Sequence, residues 1–94
     1  MFKFKLSKTL RHKLNKIEKK KNVEYKKIFS KVKKIINCNE TSIDFYKNLR
    51  YDLSKYKRVH IIRPFVLVFK VDKINKTILF EDYEHHDQAC NKKY

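Results

Sequence analysis

The segment FVLVFKVD, Phe65–Asp72, is apolar on both of the faces that a strand would present. Phe65, Leu67 and Phe69 share one side, and Val66 and Val68 share the other, because successive strand side chains point in opposite directions. Such a strand belongs at a central position in a sheet. Its neighbours in sequence supply partners. Tyr56–Ile62 reads as a strand ending at an Arg63-Pro64 turn, and Thr77–Tyr83 reads as another, after a hairpin turn at DKINK. At the start, Phe2, Phe4 and Leu6 alternate with Lys3 and Lys5, the pattern of a short half-buried strand. Gly is absent and Pro occurs once, so turns must come from Asn, Asp, Ser and Lys.

Between the first strand and the other three, the spacing changes to that of helices. Ser7 is a candidate N-cap for a helix with Leu10, Leu14 and Ile17 on one stripe. The cations of Lys19–Lys21 suit its C-terminus, and Asn22 is placed to cap the next helix. That second helix puts Tyr25, Ile28, Phe29, Val32, Ile35 and Ile36 on one face and stops near Asn37–Glu40. Residues 41–55 fit either a short helix or an ordered loop. The expected fold is α+β: an N-terminal strand and two-helix hairpin packed on one face of a small antiparallel sheet, as a single domain over residues 1–94. Val59 and Ile61 would face the helices. Arg58 and His60 would face away from them.

Charge points to the partner. Lys and Arg number 25 against 10 Asp and Glu, a formal net charge of +15, which suits a polyanion. The lysine bias also fits AT-rich coding, so the four arginines, Arg11, Arg50, Arg58 and Arg63, carry more weight: their planar fork matches phosphate. Residues 1–38 hold 14 basic side chains with only Glu18 and Glu24 as acids, whereas Asp72, Glu81, Asp82, Glu84 and Asp87 all lie after residue 70. The start lacks the apolar core of a signal peptide, and the longest apolar run, Phe65–Phe69, is too short to span a membrane. The expectation is a cytoplasmic protein with Cys38 and Cys90 as free thiols.

The tail EHHD adds His85, His86 and Asp87. If the three strands meander, one tail histidine can join Arg58 and His60 over one sheet face. Those residue types suit RNA scission without a metal. The 2′-hydroxyl must lose a proton, the 5′-oxygen must gain one, and the pentacoordinate phosphate carries extra negative charge. Histidine serves the first two needs near neutral pH, and arginine the third. Asp87 is placed to orient a histidine. Each residue also fits a plainer role: His60 as a hydrogen-bonded strand residue, Arg58 paired with Glu81 or Asp82, and Asp87 as a helix cap. Neither a Cys-x-x-Cys nor a His-x-x-x-His spacing is present, so no metal and no cofactor is expected.

The run YKNLRYDLSKYKRVHIIRPFVLVFKVD, followed by TILFEDYEHHD, resembles the RelE branch of the RelE/ParE toxin superfamily, in a subgroup with a KRVHI strand and a terminal HHD. The helical hairpin matches that superfamily's element order. The resemblance implies a toxin of a type II toxin–antitoxin pair that cleaves mRNA in the ribosomal A site, leaving a 2′,3′-cyclic phosphate. It also implies inhibition by a RelB-like antitoxin, expected to be acidic. By position, Arg58, His60, His85, His86 and Asp87 match the catalytic cluster. Lys47, Arg50, Lys57 and Arg63 are candidates for phosphate contacts. The chain departs from the subgroup at Cys90, where a tyrosine is expected. Two other classes stay open at this stage: a toxin of the same fold that blocks a protein target such as gyrase, and a non-catalytic basic RNA-binding remnant.

Overall fold

A computed structural model describes residues 1–49 and 55–91, the side chains of 90 and 91 excepted. The elements run β1 (Lys3–Leu6), α1 (Lys8–Lys20), α2 (Asn22–Ile36), a 3-10 turn at Ser42–Phe45, β2 (Tyr56–His60), β3 (Phe65–Asp72), β4 (Thr77–His85) and α3 (His86–Asn91). The strands form one sheet in the order β1-β4-β3-β2. The doubly apolar β3 takes an inner place and runs antiparallel to both neighbours, as its pattern requires. β1 lies parallel to β4, so the sheet is mixed where an antiparallel one was expected. Side-chain alternation encodes faces, not strand direction. A parallel neighbour needs a long connection to return the chain to the same end, and here the helical hairpin and two strands provide it.

The helices bury one sheet face. Leu10 and Leu14 of α1, with Ile28, Val32 and Ile35 of α2, meet Leu67 and Phe69 of β3 and Ile78 and Phe80 of β4. Ser7 caps α1 as expected: its hydroxyl accepts the Leu10 N–H at 3.0 Å. The expected cap at Asn22 is not what forms. Asn22 is the first residue of α2, and Lys21 both closes α1, donating its N–H to the Ile17 carbonyl at 2.7 Å, and precedes α2 with no side-chain cap. The hairpin between β3 and β4 is built by Asp72, whose carboxylate accepts both the backbone and side-chain N–H groups of Asn75. In a chain without glycine, Lys76 takes the left-handed position there, with φ of 50°.

The opposite face is covered in part by a second, smaller core. Leu49, Tyr56, Val66, Val68 and Ala89 pack together there. This is why β3 is apolar on both sides: Val66 and Val68, both at 0% exposure, face α3 and the segment before β2. Burying each contributes about 1.5–3 kcal/mol. The edge of β2 is closed as well. The Lys57 ammonium donates to the Tyr46 carbonyl at 3.1 Å and to Asn48 Oδ1 at 2.9 Å, and the Arg58 N–H donates to the Lys47 carbonyl at 2.9 Å.

Truncating the main core separates it from the surface. Leu10→Ala should cost about 2–5 kcal/mol in urea unfolding. Phe4→Ala, on a ring that is 45% exposed, should cost clearly less. Equal losses would contradict this difference in burial.

Candidate functional site

Register decides which side chains meet. Arg58 pairs with Val68 and Val68 with Asp82, while His60 pairs with Val66 and Val66 with Glu84. Arg58, His60, Asp82 and Glu84 therefore share the face that carries the smaller core. Val59, with Leu67 and Tyr83, lies on the helix side. The alternation that paired Arg58 with His60 in the sequence holds in space.

β4 ends at His85, and α3 begins at His86. The His86 N–H donates to the Pro64 carbonyl at 2.9 Å, which ties the start of α3 to the turn between β2 and β3. Ala89, one turn along, is buried against Val66 and Val68. Together these bring the His86 ring onto His60, stacked with centroids 5.7 Å apart and an interplanar angle of 12°. Asp87 Oδ1 lies 3.7 Å from His86 Nδ1, a charge contact longer than a hydrogen bond.

His85 goes elsewhere. It pairs with Phe65 across the ladder and meets that ring edge-on at 5.9 Å, on the helix side of the sheet. Its Nδ1 accepts the Asp87 N–H at 3.3 Å, an N-terminal contact for α3. Arg58, His60 and His86 thus converge, with Asp87 beside His86, while His85 occupies the other face. Lys57 is engaged by the loop at residues 46–48. Arg50 lies outside the described residues, as does the side chain of Cys90.

The electrostatics follow from this crowding. Burial depresses the His60 pKa below its ordinary value, and the nearby charges of Arg63, Arg58, His86 and Lys47 depress it further. Burial and these four neighbours all disfavour a charge on the ring, so His60 is neutral at neutral pH and able to accept a proton. The two acids on the same face are held apart from the arginines. Asp82, at 1% exposure, takes the Lys13 ammonium at 2.6 Å, and Glu84 lies 3.4 Å from the same nitrogen. Lys13 reaches them from α1 past the end of β1, whose ladder with β4 stops at Phe80. Among the described residues, no carboxylate pairs with Arg58, so the ion pair with Glu81 or Asp82 does not form. Also among them, no group of three or more His, Cys, Asp or Glu side chains is placed to hold a metal ion.

Two parts of this arrangement had no motif in the sequence. The Lys13 contact crosses 69 residues and looks like any other surface lysine. The smaller core had one signal, the outward Val66 and Val68, which indicated a cover without naming it.

No family model matches the chain. A curated relative, "Putative toxin RelE4" of Methanocaldococcus jannaschii, is 44% identical over 80 residues, covering 85% of this chain and 81% of the relative. The chain belongs to the RelE/ParE toxin superfamily. Membership places it among the toxins of toxin–antitoxin systems. Solved structures agree on the fold. The YoeB/ParE toxin from Agrobacterium tumefaciens superposes with a TM-score of 0.75 at 12% identity, over 90% of this chain and 99% of that one. The DinJ-YafQ complex from E. coli gives a TM-score of 0.62 at 15% identity, over 93% and 96%. The α+β architecture expected from the sequence is thus the RelE-like fold. No helix among the described residues is long and apolar enough to cross a membrane.

Titration of His60 tests the electrostatic picture. Followed by NMR on the ring carbons, its midpoint should fall below about 6.5, the free value. Arg63→Ala should move it upward, because a repelling charge is removed. A midpoint at or above the free value would contradict the picture.

Proposed function

We propose that this RelE/ParE family chain is a ribosome-dependent mRNA endoribonuclease and the toxin of a type II toxin–antitoxin pair. The observation that carries this reading is the stacking of His86 on His60 beside Arg58. His60, held neutral, takes the proton of the 2′-hydroxyl as that oxygen attacks the adjacent phosphorus. His86, with Asp87 beside its Nδ1, gives a proton to the departing 5′-oxygen. Arg58 and Arg63 offer donors to the non-bridging oxygens as negative charge builds there. Lys47 adds to the positive field around His60. His85, on the helix side, holds the start of α3 and so positions His86. The products are a 2′,3′-cyclic phosphate and a free 5′-hydroxyl, with atoms and protons balanced and no metal required.

The ribosome enters as the surface that presents a single mRNA strand in extended form. The antitoxin enters as the counter-charge: a chain with +15 formal charge and an exposed cationic site is matched by an acidic partner. The DinJ-YafQ neighbour is itself a complex of two named chains, which supports a bound partner for this one.

Cleavage of mRNA on ribosomes should fall by roughly 10²-fold or more in each of Arg58→Ala, His60→Gln and His86→Ala. The rate should rise with pH through the lowered His60 pKa, because the base acts only when unprotonated. The acidic limb of the profile should therefore lie below about pH 6.5. Wild-type cleavage that survives all three substitutions would remove this mechanism. Growth arrest with intact message would instead favour a toxin that blocks a protein target.

A further inference from the structure

On the helix side of the sheet, at the end of β4, a groove of 280 Å³ opens between the helical hairpin and the strands. Phe65, Tyr83 and Ile17 form its apolar floor, and Lys16, Lys20 and Lys21 stand around it. The Phe65 ring stacks on Tyr83 with centroids 5.6 Å apart and 23° between planes. At 37% exposure it still presents ring surface to solvent. The groove contains one acid, Glu24, but its carboxylate accepts the Tyr83 hydroxyl at 2.6 Å and lies 3.9 Å from Lys21. Lys13, at the inner end, is engaged by Asp82 and Glu84. Among the described residues, Lys16 and Lys20 have no ion pair, so the groove keeps a net positive rim.

The groove and the candidate site lie on opposite faces of the sheet and approach each other at one end of it. Phe65 begins β3 just after the turn that bears Arg63, and it touches His85, the residue before His86. A strand held at His60 and His86 thus has a short path over the end of the sheet to the Phe65 ring.

We propose that this groove seats one unpaired base of a single-stranded RNA that passes over the end of the sheet from the phosphate held at His60 and His86. The base stacks on Phe65, and Lys16 and Lys20 take the flanking phosphates. The inference rests on the ribonuclease reading for its substrate class. It adds a base-stacking position on a surface where the sequence showed only a general positive charge. Aromatic rings that accept any base, with lysines tracking the backbone, are the usual means of holding single strands without reading sequence. An acidic peptide would satisfy the lysines equally. The stacked, part-exposed Phe65 ring offers the flat face that a planar base needs and an acidic peptide does not.

The test uses the full chain and a single-stranded 2′-O-methyl oligonucleotide carrying 2-aminopurine, which has no free 2′-hydroxyl and cannot be cut. Wild type should bind it and quench the fluorescent base. Phe65→Ala should weaken binding roughly tenfold and lose the quench, while Phe65→Trp should retain both. Lys16→Ala with Lys20→Ala should reduce the slope of log affinity against log salt by about 1.4, at about 0.7 for each lost phosphate contact on a single strand. Thermal melts of each variant separate lost binding from lost fold, and the Trp variant keeps the test decisive if the Ala variant melts early. Absence of wild-type binding would overturn the proposal, as would equal affinity and quenching in Phe65→Ala. So would a Phe65 dependence found only for a glutamate-rich peptide. Because binding is read on an uncuttable strand, the result is independent of catalysis. Phe65-dependent binding by a chain that never cleaves would keep the groove and remove the nuclease reading.

Discussion

Four positive or protonatable groups are held around one imidazole, and the rest of the structure makes that crowding possible. Arg58, Arg63, Lys47 and His86 all bear on His60, and each disfavours a charge on it. Such an arrangement is costly in isolation, since like charges in a partly desolvated place repel without compensation. It becomes favourable when a phosphate arrives. Burial first, and then the repulsion of these groups, keeps His60 neutral in the free protein, and under the proposed reading the same cationic surroundings receive the phosphate.

Three contacts maintain it. Ala89 on Val66 and Val68 fixes α3, and with it the His86 ring. The Lys57 ammonium binds the loop at residues 46–48 to the edge of β2, which also sets the Lys47 backbone against Arg58. Lys13 takes the two acids that share the Arg58 face, so that the acids do not have to be answered by Arg58. Asp82 and Glu84 are the buried charged side chains among the described residues, and Lys13 is one of the cations that offsets the cost of burying them.

Much of this was legible in the sequence because alternation and helical spacing record which way side chains face. The placement of Arg58 with His60, the inner position of β3 and the helical stripe through Leu10 and Leu14 all follow from those two periods. What the periods cannot record is direction and distance. The parallel pairing of β1 leaves no trace in its alternation. The choice between His85 and His86 depends on where β4 ends and α3 begins, a boundary set by the bond from His86 to Pro64 and by the packing of Ala89. The Lys13 contact and the Phe65–Tyr83 groove join residues far apart in the chain. They appear in the sequence only as unremarkable lysines and aromatics.

The most direct measurement of the central claim is end-group analysis of the RNA cut on ribosomes, with a chelator present throughout. Transfer of the 2′-oxygen to phosphorus by paired imidazoles predicts a 2′,3′-cyclic phosphate on one fragment and a 5′-hydroxyl on the other, at an undiminished rate. Fragments bearing a 5′-phosphate and a 3′-hydroxyl, or cleavage abolished by the chelator while the ribosomes stay intact, would contradict it.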